Sequence, residues 1–188
     1  SKIAAMGFET VQLGFGSVAE CNFSASAHIE IPQSVSDDVL NAICRASREF
    51  HLPIGAINGT WNMAHPDQEV REEALRRMEG FLSAVAALEC PIATLCSGTR
   101  SREHLWHEDA GNNDSSAWRD MLDSMQRAAR MAELCDVTLA IETEAANIID
   151  TPEKARRIMD EVCSNRLKMI LDCANLFHAG DAYPENVH

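Results

Sequence analysis

Five short apolar runs punctuate the chain, and long segments with helical spacing separate them. The runs cover residues 10–15, 53–57, 91–96, 137–141 and 168–172. Each has the length of a buried parallel strand, apolar on both faces and rich in β-branched residues. Between them, apolar positions recur every three to four residues. Val39, Leu40, Ile43, Ser47 and Phe50 form one stripe, and Val70, Ala74, Met78, Phe81, Leu82 and Val85 a second. Trp118, Met121, Leu122, Met125, Ala129 and Ala132 form a third, and Ala155, Ile158, Met159 and Val162 a fourth. This spacing predicts four amphipathic helices with one core-facing side each. Ser36 before Asp37-Asp38, and Thr151 before Pro152, read as helix caps, the second with proline at the first helical position.

Strands that alternate with helices predict right-handed βαβ units and a parallel sheet. A doubly wound nucleotide-binding sheet lacks its main support, because no G-x-G-x-x-G follows any strand. A (β/α)₈ barrel fits better, because polar residues gather just after four of the five runs: 58–65, 97–102, 142–144 and 172–175. In a barrel those ends share one mouth. The expectation is one α/β domain over residues 1–188, an incomplete TIM barrel with strands 2 to 6 visible. The opening residues read as a helix end closed by Gly7. The first strand and the last two strands are expected to be missing, and residues 183–188 to run toward a further helix. Open sheet edges would favour association, so a homo-oligomer is one expected state.

Charge narrows the function. With 16 Lys and Arg against 29 Asp and Glu, the net charge is −13. That balance argues against nucleic acid, whose binders cluster cations. Arg71, Arg76, Arg77, Arg156 and Arg157 sit among carboxylates and read as solvated helix faces with i,i+4 pairs. No run of 18 apolar residues predicts a membrane span. The seven cysteines form no C-x-x-C pair, so they read as reduced core thiols of a cytoplasmic protein.

Glu142 and Asp172 stand at the ends of consecutive strands, so their carboxylates would be neighbours at the mouth. Two such groups repel unless a cation or a partner intervenes. A divalent metal of the Mn²⁺, Mg²⁺ or Co²⁺ type, rather than zinc, suits oxygen ligands. The competing reading is that each carboxylate pairs with Arg or Lys or caps a helix. His65, before Pro66, either faces the mouth and bonds a substrate hydroxyl or starts a helix beside Asp67 as cap. The polar loop around Trp106, His107 and Asp109 has the length of a lid. His104 and His107 read as exposed, and Asn112 to Ser115 as a turn and helix cap. Trp61, Trp106 and Phe177 are candidate apolar walls for a sugar.

These residues resemble a family. Residues 59–67 are similar to the G-T-x-N-M-x-H-P-D stretch of sugar phosphate isomerase/epimerase-like barrels, which include xylose isomerase-like enzymes. Residues 139–144 look like their L-A-x-E-x-E strand end, with Asn147 and Asp150 following, and residues 171–177 like their L-D-P-A-N-L-F stretch with Cys173 for Pro. The resemblance implies that Glu142 and Asp172 bind the metal, that Glu142 is also a catalytic acid/base, and that His65 contacts substrate. Asn175 stands where many members carry a metal-site His, which counts against the DNA-repair branch; it is placed with the substrate-binding residues. The implied reaction moves a proton beside a carbonyl through an enediolate, giving an isomer or epimer of a ketose or sugar phosphate. Two rivals remain: an inosose-type dehydratase on the same barrel, and a non-catalytic sugar-binding module. The family's other two metal ligands follow later strands, and His188 is not assigned to either.

Overall fold

The five strands lie in one parallel sheet whose order, β1-β2-β3-β4-β5, is the order of the chain. They are β1 (Val11–Gly14), β2 (Ile54–Asn58), β3 (Ile92–Cys96), β4 (Thr138–Glu142) and β5 (Leu167–Ile170). A doubly wound sheet would reverse its strand order at a switch point, whereas consecutive order is that of a barrel wall. The fold is therefore α/β, a partial (β/α)₈ barrel. This computed structural model describes residues 2–25, 27–178 and 180. Residues 183–188, including His188, lie outside the described residues.

The helices follow the predicted stripes. They are α1 (Lys2–Ala5), α2 (Asp37–Phe50), α3 (Gln68–Ala87), α4 (Ser115–Cys135), α5 (Pro152–Val162) and α6 (Cys173–His178). Ser36 accepts from the Val39 amide at 3.4 Å, and Thr151 from the Lys154 amide at 3.3 Å, so both predicted caps form. Gly7 ends the α1 turn with φ +82°. Asp114 starts α4 without a side-chain cap bond; Asp109 instead caps a short 3₁₀ turn, Ala110–Asn113.

The core lies between α3, α4 and the middle strands. Ala74, Met78, Phe81, Leu82 and Val85 of α3 are buried, as are Met121, Met125, Ala129 and Ala132 of α4. Arg127 donates two parallel hydrogen bonds to the Glu72 carboxylate, at 2.6 and 2.8 Å, which bridge these two helices.

Two expectations are corrected at the edges. The α2 stripe was expected to face the core, yet no α2 residue is fully buried and Phe50 is 36% exposed. This helix covers the β1 edge, beyond which no further strand lies among the described residues, so one flank of its stripe stays open. For the same reason β1 alternates between half-buried and exposed positions instead of burying both faces. The cysteines are all free, but Cys163 and Cys173 are exposed, one at the end of α5 and the other at the start of α6. The Arg reading holds for Arg156–Asp160 and Arg157–Glu161, which are i,i+4 pairs. Arg71 instead reaches across to Asp120 of α4 at 3.5 Å, where Arg100 joins it at 2.8 Å.

Candidate active site

Parallel pairing sets the site's geometry. Cys96 is in register with Glu142, and Glu142 with Ile170, so three strand ends line up side by side. Glu142 is the last residue of β4. Asp172 lies two residues beyond β5, not on its last position as the apolar run suggested. Its Oδ1 accepts the amides of Ala174 at 2.7 Å and Asn175 at 3.1 Å, which starts α6. A carboxylate there competes for backbone N–H groups and ends the strand early.

Asp172 also shares a hydrogen bond with Glu142. The structure thus brings the two predicted carboxylates together, and one of them caps a helix as well. Burial, the proton shared with Asp172, and the charges of Glu144 and Asp172 push Glu142 up to about 7. The amides of Asn175 and Ala174, then the bond with Glu142, hold Asp172 below the usual carboxylate range. One carboxyl keeps the proton and its partner carries the charge. Burial raises Glu144 too, opposed by a hydrogen bond from Asn175. Asn175 is therefore a spacer between Glu144 and the Asp172 turn. Glu144 is the site carboxylate that strand-end reasoning passed over, although two residues of spacing from Glu142 put it on the same rim.

The coupled pair predicts a pH dependence of stability in metal-free protein. The folded state keeps the Glu142 proton to about pH 7, while the unfolded chain releases it around the ordinary value of 4.5. Its stabilising contribution is fully present below that lower value and is lost as pH rises through about 7. Asp172 acts oppositely, contributing above its ordinary 3.8 and losing that on acidification. Melts of chelated protein at pH 5.5 and 8 are expected to show a lower midpoint at pH 8. The Glu142→Gln variant should lose that difference, and an unchanged slope would mean that the titration belongs to another group.

The other predicted contacts fall into two sets. Trp61 is fully buried and His65 is 4% exposed. The His65 Nδ1 accepts the Asp67 amide at 3.0 Å, and Asp67 in turn caps α3 through the Glu69 amide at 2.9 Å. His65 thus shapes the helix start, and Trp61 packs the barrel interior. Trp106 is 40% exposed and Phe177 74%, so both can meet a ligand.

The loop at residues 99–114 is held at its base. Asn112 accepts from the Thr99 hydroxyl at 3.0 Å and the Arg100 amide at 2.7 Å, and donates to the Ala146 carbonyl at 3.0 Å. Asn147 donates to the Leu105 carbonyl at 3.1 Å and accepts the Gly98 amide at 2.8 Å. Arg102, Trp106 and His107 are exposed, whereas Thr99, Ser101, Leu105 and Asn112 are buried. The base of the loop is thus tied to the strand ends on both sides. A cleft of about 690 Å³ runs along its outer side, past Arg100, Trp106 and Asp109, away from the carboxylate pair. An Asn147→Ala variant removes two buried bonds, each costing about 1–3 kcal/mol when its partner is stranded. Limited proteolysis is expected to cut that variant within residues 99–114 at least tenfold faster. An unchanged rate would show that the loop is held elsewhere.

Three solved structures place this architecture among known proteins. A D-psicose 3-epimerase crystallised in the presence of D-fructose superimposes with a TM-score of 0.75 at 18% identity, over 98% of this chain and 60% of its own. A probable 3-DHS dehydratase involved in petrobactin synthesis from Bacillus anthracis gives 0.69 at 12% identity, over 98% and 61%. The IOLI protein with a bound zinc atom gives 0.63 at 17% identity, over 77% and 50%. At these identities the likeness is one of fold. The chain spans between half and about three fifths of the length of these structures. No curated protein sequence matches the chain. A family model, by contrast, matches residues 1–187 almost end to end, and on that match this chain belongs to the xylose isomerase-like TIM barrel family.

Proposed function

We propose that this chain carries part of the active site of a divalent-metal-dependent sugar isomerase or epimerase, acting on a ketose by proton transfer through an enediolate. The observation that carries the reading is the placement of Glu142 and Asp172 as neighbouring carboxylates at the ends of the paired strands β4 and β5. A carboxyl poised at about 7 can both accept and return a proton near neutral pH. The donor set also fits a hard divalent cation, since both side chains offer oxygen and stand in contact. Among the described residues no group of three or more His, Cys, Asp or Glu is arranged to hold a metal. Glu142 and Asp172 would therefore supply half of a ligand shell, and the remaining ligands would come from elsewhere. When bound, the ion would polarise the substrate carbonyl. The zinc atom in the similar IOLI structure supports a metal in this barrel type, without naming the ion here.

Glu142 takes the proton beside the carbonyl in this reading, and Asn175 keeps Glu144 in place next to it. Trp106 and Phe177 face the substrate, while His65 and Trp61 support the mouth from behind. The family and charge suit a cytoplasmic enzyme, and no helix among the described residues is long and apolar enough to cross a membrane. A dehydratase is the second reading, favoured by the B. anthracis enzyme of the same architecture.

The test is incubation with D-fructose and Mn²⁺ in D₂O, followed by NMR. Deuterium at the carbon beside the carbonyl, in a sugar of unchanged mass apart from the label, is the expected result. Loss of water with appearance of an enone would favour the dehydratase. No exchange across a panel of ketoses would sink both.

A further inference from the structure

The segment after β1 contributes a second polar cluster that the carboxylate pair does not use. Ile29 forms single bridges to Asn22 and to Trp61, which pins the segment across the end of the sheet. His28 adopts φ +45°, a left-handed conformation that costs a non-glycine residue about 1–2 kcal/mol. Its Nε2 lies 2.7 Å from Glu30 Oε1. Glu30 Oε2 accepts from the Asn58 amide group at 2.6 Å. Asn58 is itself fixed, since its Oδ1 accepts the Thr60 amide and hydroxyl at 3.0 and 2.8 Å. Glu30 is thus oriented through both oxygens, and each oxygen retains a further acceptor site.

The cluster stands on the same rim as Glu142. Asn58 and Cys96 are the last residues of β2 and β3. Cys96 is in register with Glu142, and β2 pairs with β3 through Asn58 and Thr94, so the Asn58–Glu30 bond lies on the strand-end rim that carries Glu142. Above, the His28 ring lies edge-on to Trp106 at 5.9 Å and beside His104 at 5.7 Å. The Trp106 indole is exposed, and the Glu30 side chain is 22% exposed. An apolar plate therefore borders an oriented carboxylate, the usual composition of a sugar-hydroxyl site.

Charge selects what can enter. Among the described residues, no Lys or Arg pairs with Glu30, Glu142, Glu144 or Asp172, and Glu30 has the His28 imidazole as its hydrogen-bond partner. Arg71 and Arg100 are engaged with Asp120, and Arg77 with Glu73, which leaves Arg102 at the exposed loop tip outside these pairs. At Glu30 a phosphate would meet a like charge, whereas a hydroxyl would donate to the carboxylate.

We propose that His28, Glu30 and Trp106 form a second subsite that binds the distal hydroxyls of a neutral, unphosphorylated polyhydroxy substrate. The proposal deepens the function above and rests on it, because the same molecule spans the Glu142–Asp172 pair and this subsite. The strained His28 backbone keeps the imidazole under Trp106 and on Glu30.

The test is calorimetric binding of D-fructose, D-fructose 6-phosphate and dihydroxyacetone to the full chain with Mn²⁺. Dihydroxyacetone has the carbonyl end and lacks the distal hydroxyls. D-fructose is expected to bind at least tenfold tighter than either other compound. Glu30→Gln should erase most of the advantage over dihydroxyacetone and leave dihydroxyacetone itself within twofold. Trp106→Ala, at an exposed loop tip, checks the same loss without disturbing the buried bonds. Equal binding of fructose and its phosphate, or a fructose advantage that both variants keep, would overturn the subsite alone if dihydroxyacetone still binds. Failure of wild-type protein to bind any of the three would overturn the subsite and the isomerase reading together.

Discussion

Replacing Glu142 by Gln is expected to lower ketose turnover by about 10²–10⁴-fold, the range lost with a positioned general acid/base. The amide matches the carboxyl in size but neither takes up nor releases a proton. It also breaks the shared proton with Asp172, which then carries its charge alone. The same substitution should not harm the fold. At pH 7 the parent must bury a carboxyl that is close to ionising, and Gln removes that cost. The melting midpoint of metal-free Glu142→Gln protein at that pH is therefore expected to equal or exceed the parent's. Mn²⁺ affinity should fall alongside turnover, since one of two oxygen donors becomes neutral. Undiminished turnover, or loss of turnover explained by unfolding, would remove Glu142 from the chemistry.

Gly98→Ala should give the largest loss of stability. Gly98 has φ +82°, and a Cβ there would sit 2.2 Å from Asn62 Oδ1 and 2.8 Å from the Met63 nitrogen. That Asn62 oxygen already accepts the amides of Ala64 at 3.2 Å and Thr99 at 2.9 Å. The substitution adds left-handed strain of about 1–2 kcal/mol to overpacking of about 1–3 kcal/mol. At roughly 2–4 °C per kcal/mol for a chain of this size, the midpoint should fall by about 5–20 °C. Gly80 provides the control. It lies in α3 with nothing within 4 Å of an added Cβ, so Gly80→Ala should raise the midpoint slightly. Equal effects at the two positions would mean that the Asn62 contact is not as close as described.

The strand–helix rhythm and both caps at Ser36 and Thr151 were legible because they are local. Periodicity and capping act within a few residues, and the sheet order then follows from right-handed crossovers. Glu142 was legible for the same reason, as a carboxylate ending an apolar run. Asp172 was legible as a carboxylate next to Glu142 but lies two residues beyond the strand end, since no apolar pattern reports a carboxylate capturing the amides of the next turn. That capture also explains why α6 went unread. For His65 the helix-start alternative is visible in its bond to the Asp67 amide, whereas the burial of Trp61 beside the distant Ile29 had no local signal. The His28–Glu30–Asn58 chain was invisible for that reason too. It joins residues about thirty apart through a segment with no periodicity, and only the folded sheet brings Asn58 to Glu30. Likewise, the polar loop at 99–114 reads as a lid by length, and the long-range bonds from Asn112 and Asn147 that hold its base leave no local signal.

The identity of sheet order and chain order bears on how the molecule is made. Every strand pairs only with the strand before and after it in sequence. Each new strand therefore finds its partner already present as the chain emerges from the ribosome, at about 5–20 residues per second. The loop to be closed at each step is one helix and its turns, so the entropic barrier stays nearly constant along the chain. Assembly can proceed as a series of similar additions, with the growing edge as the sticky surface at each stage. Glu142 and Asp172 arrive with β4 and β5, so the carboxylate pair forms only after the β1–β3 wall beside it is in place.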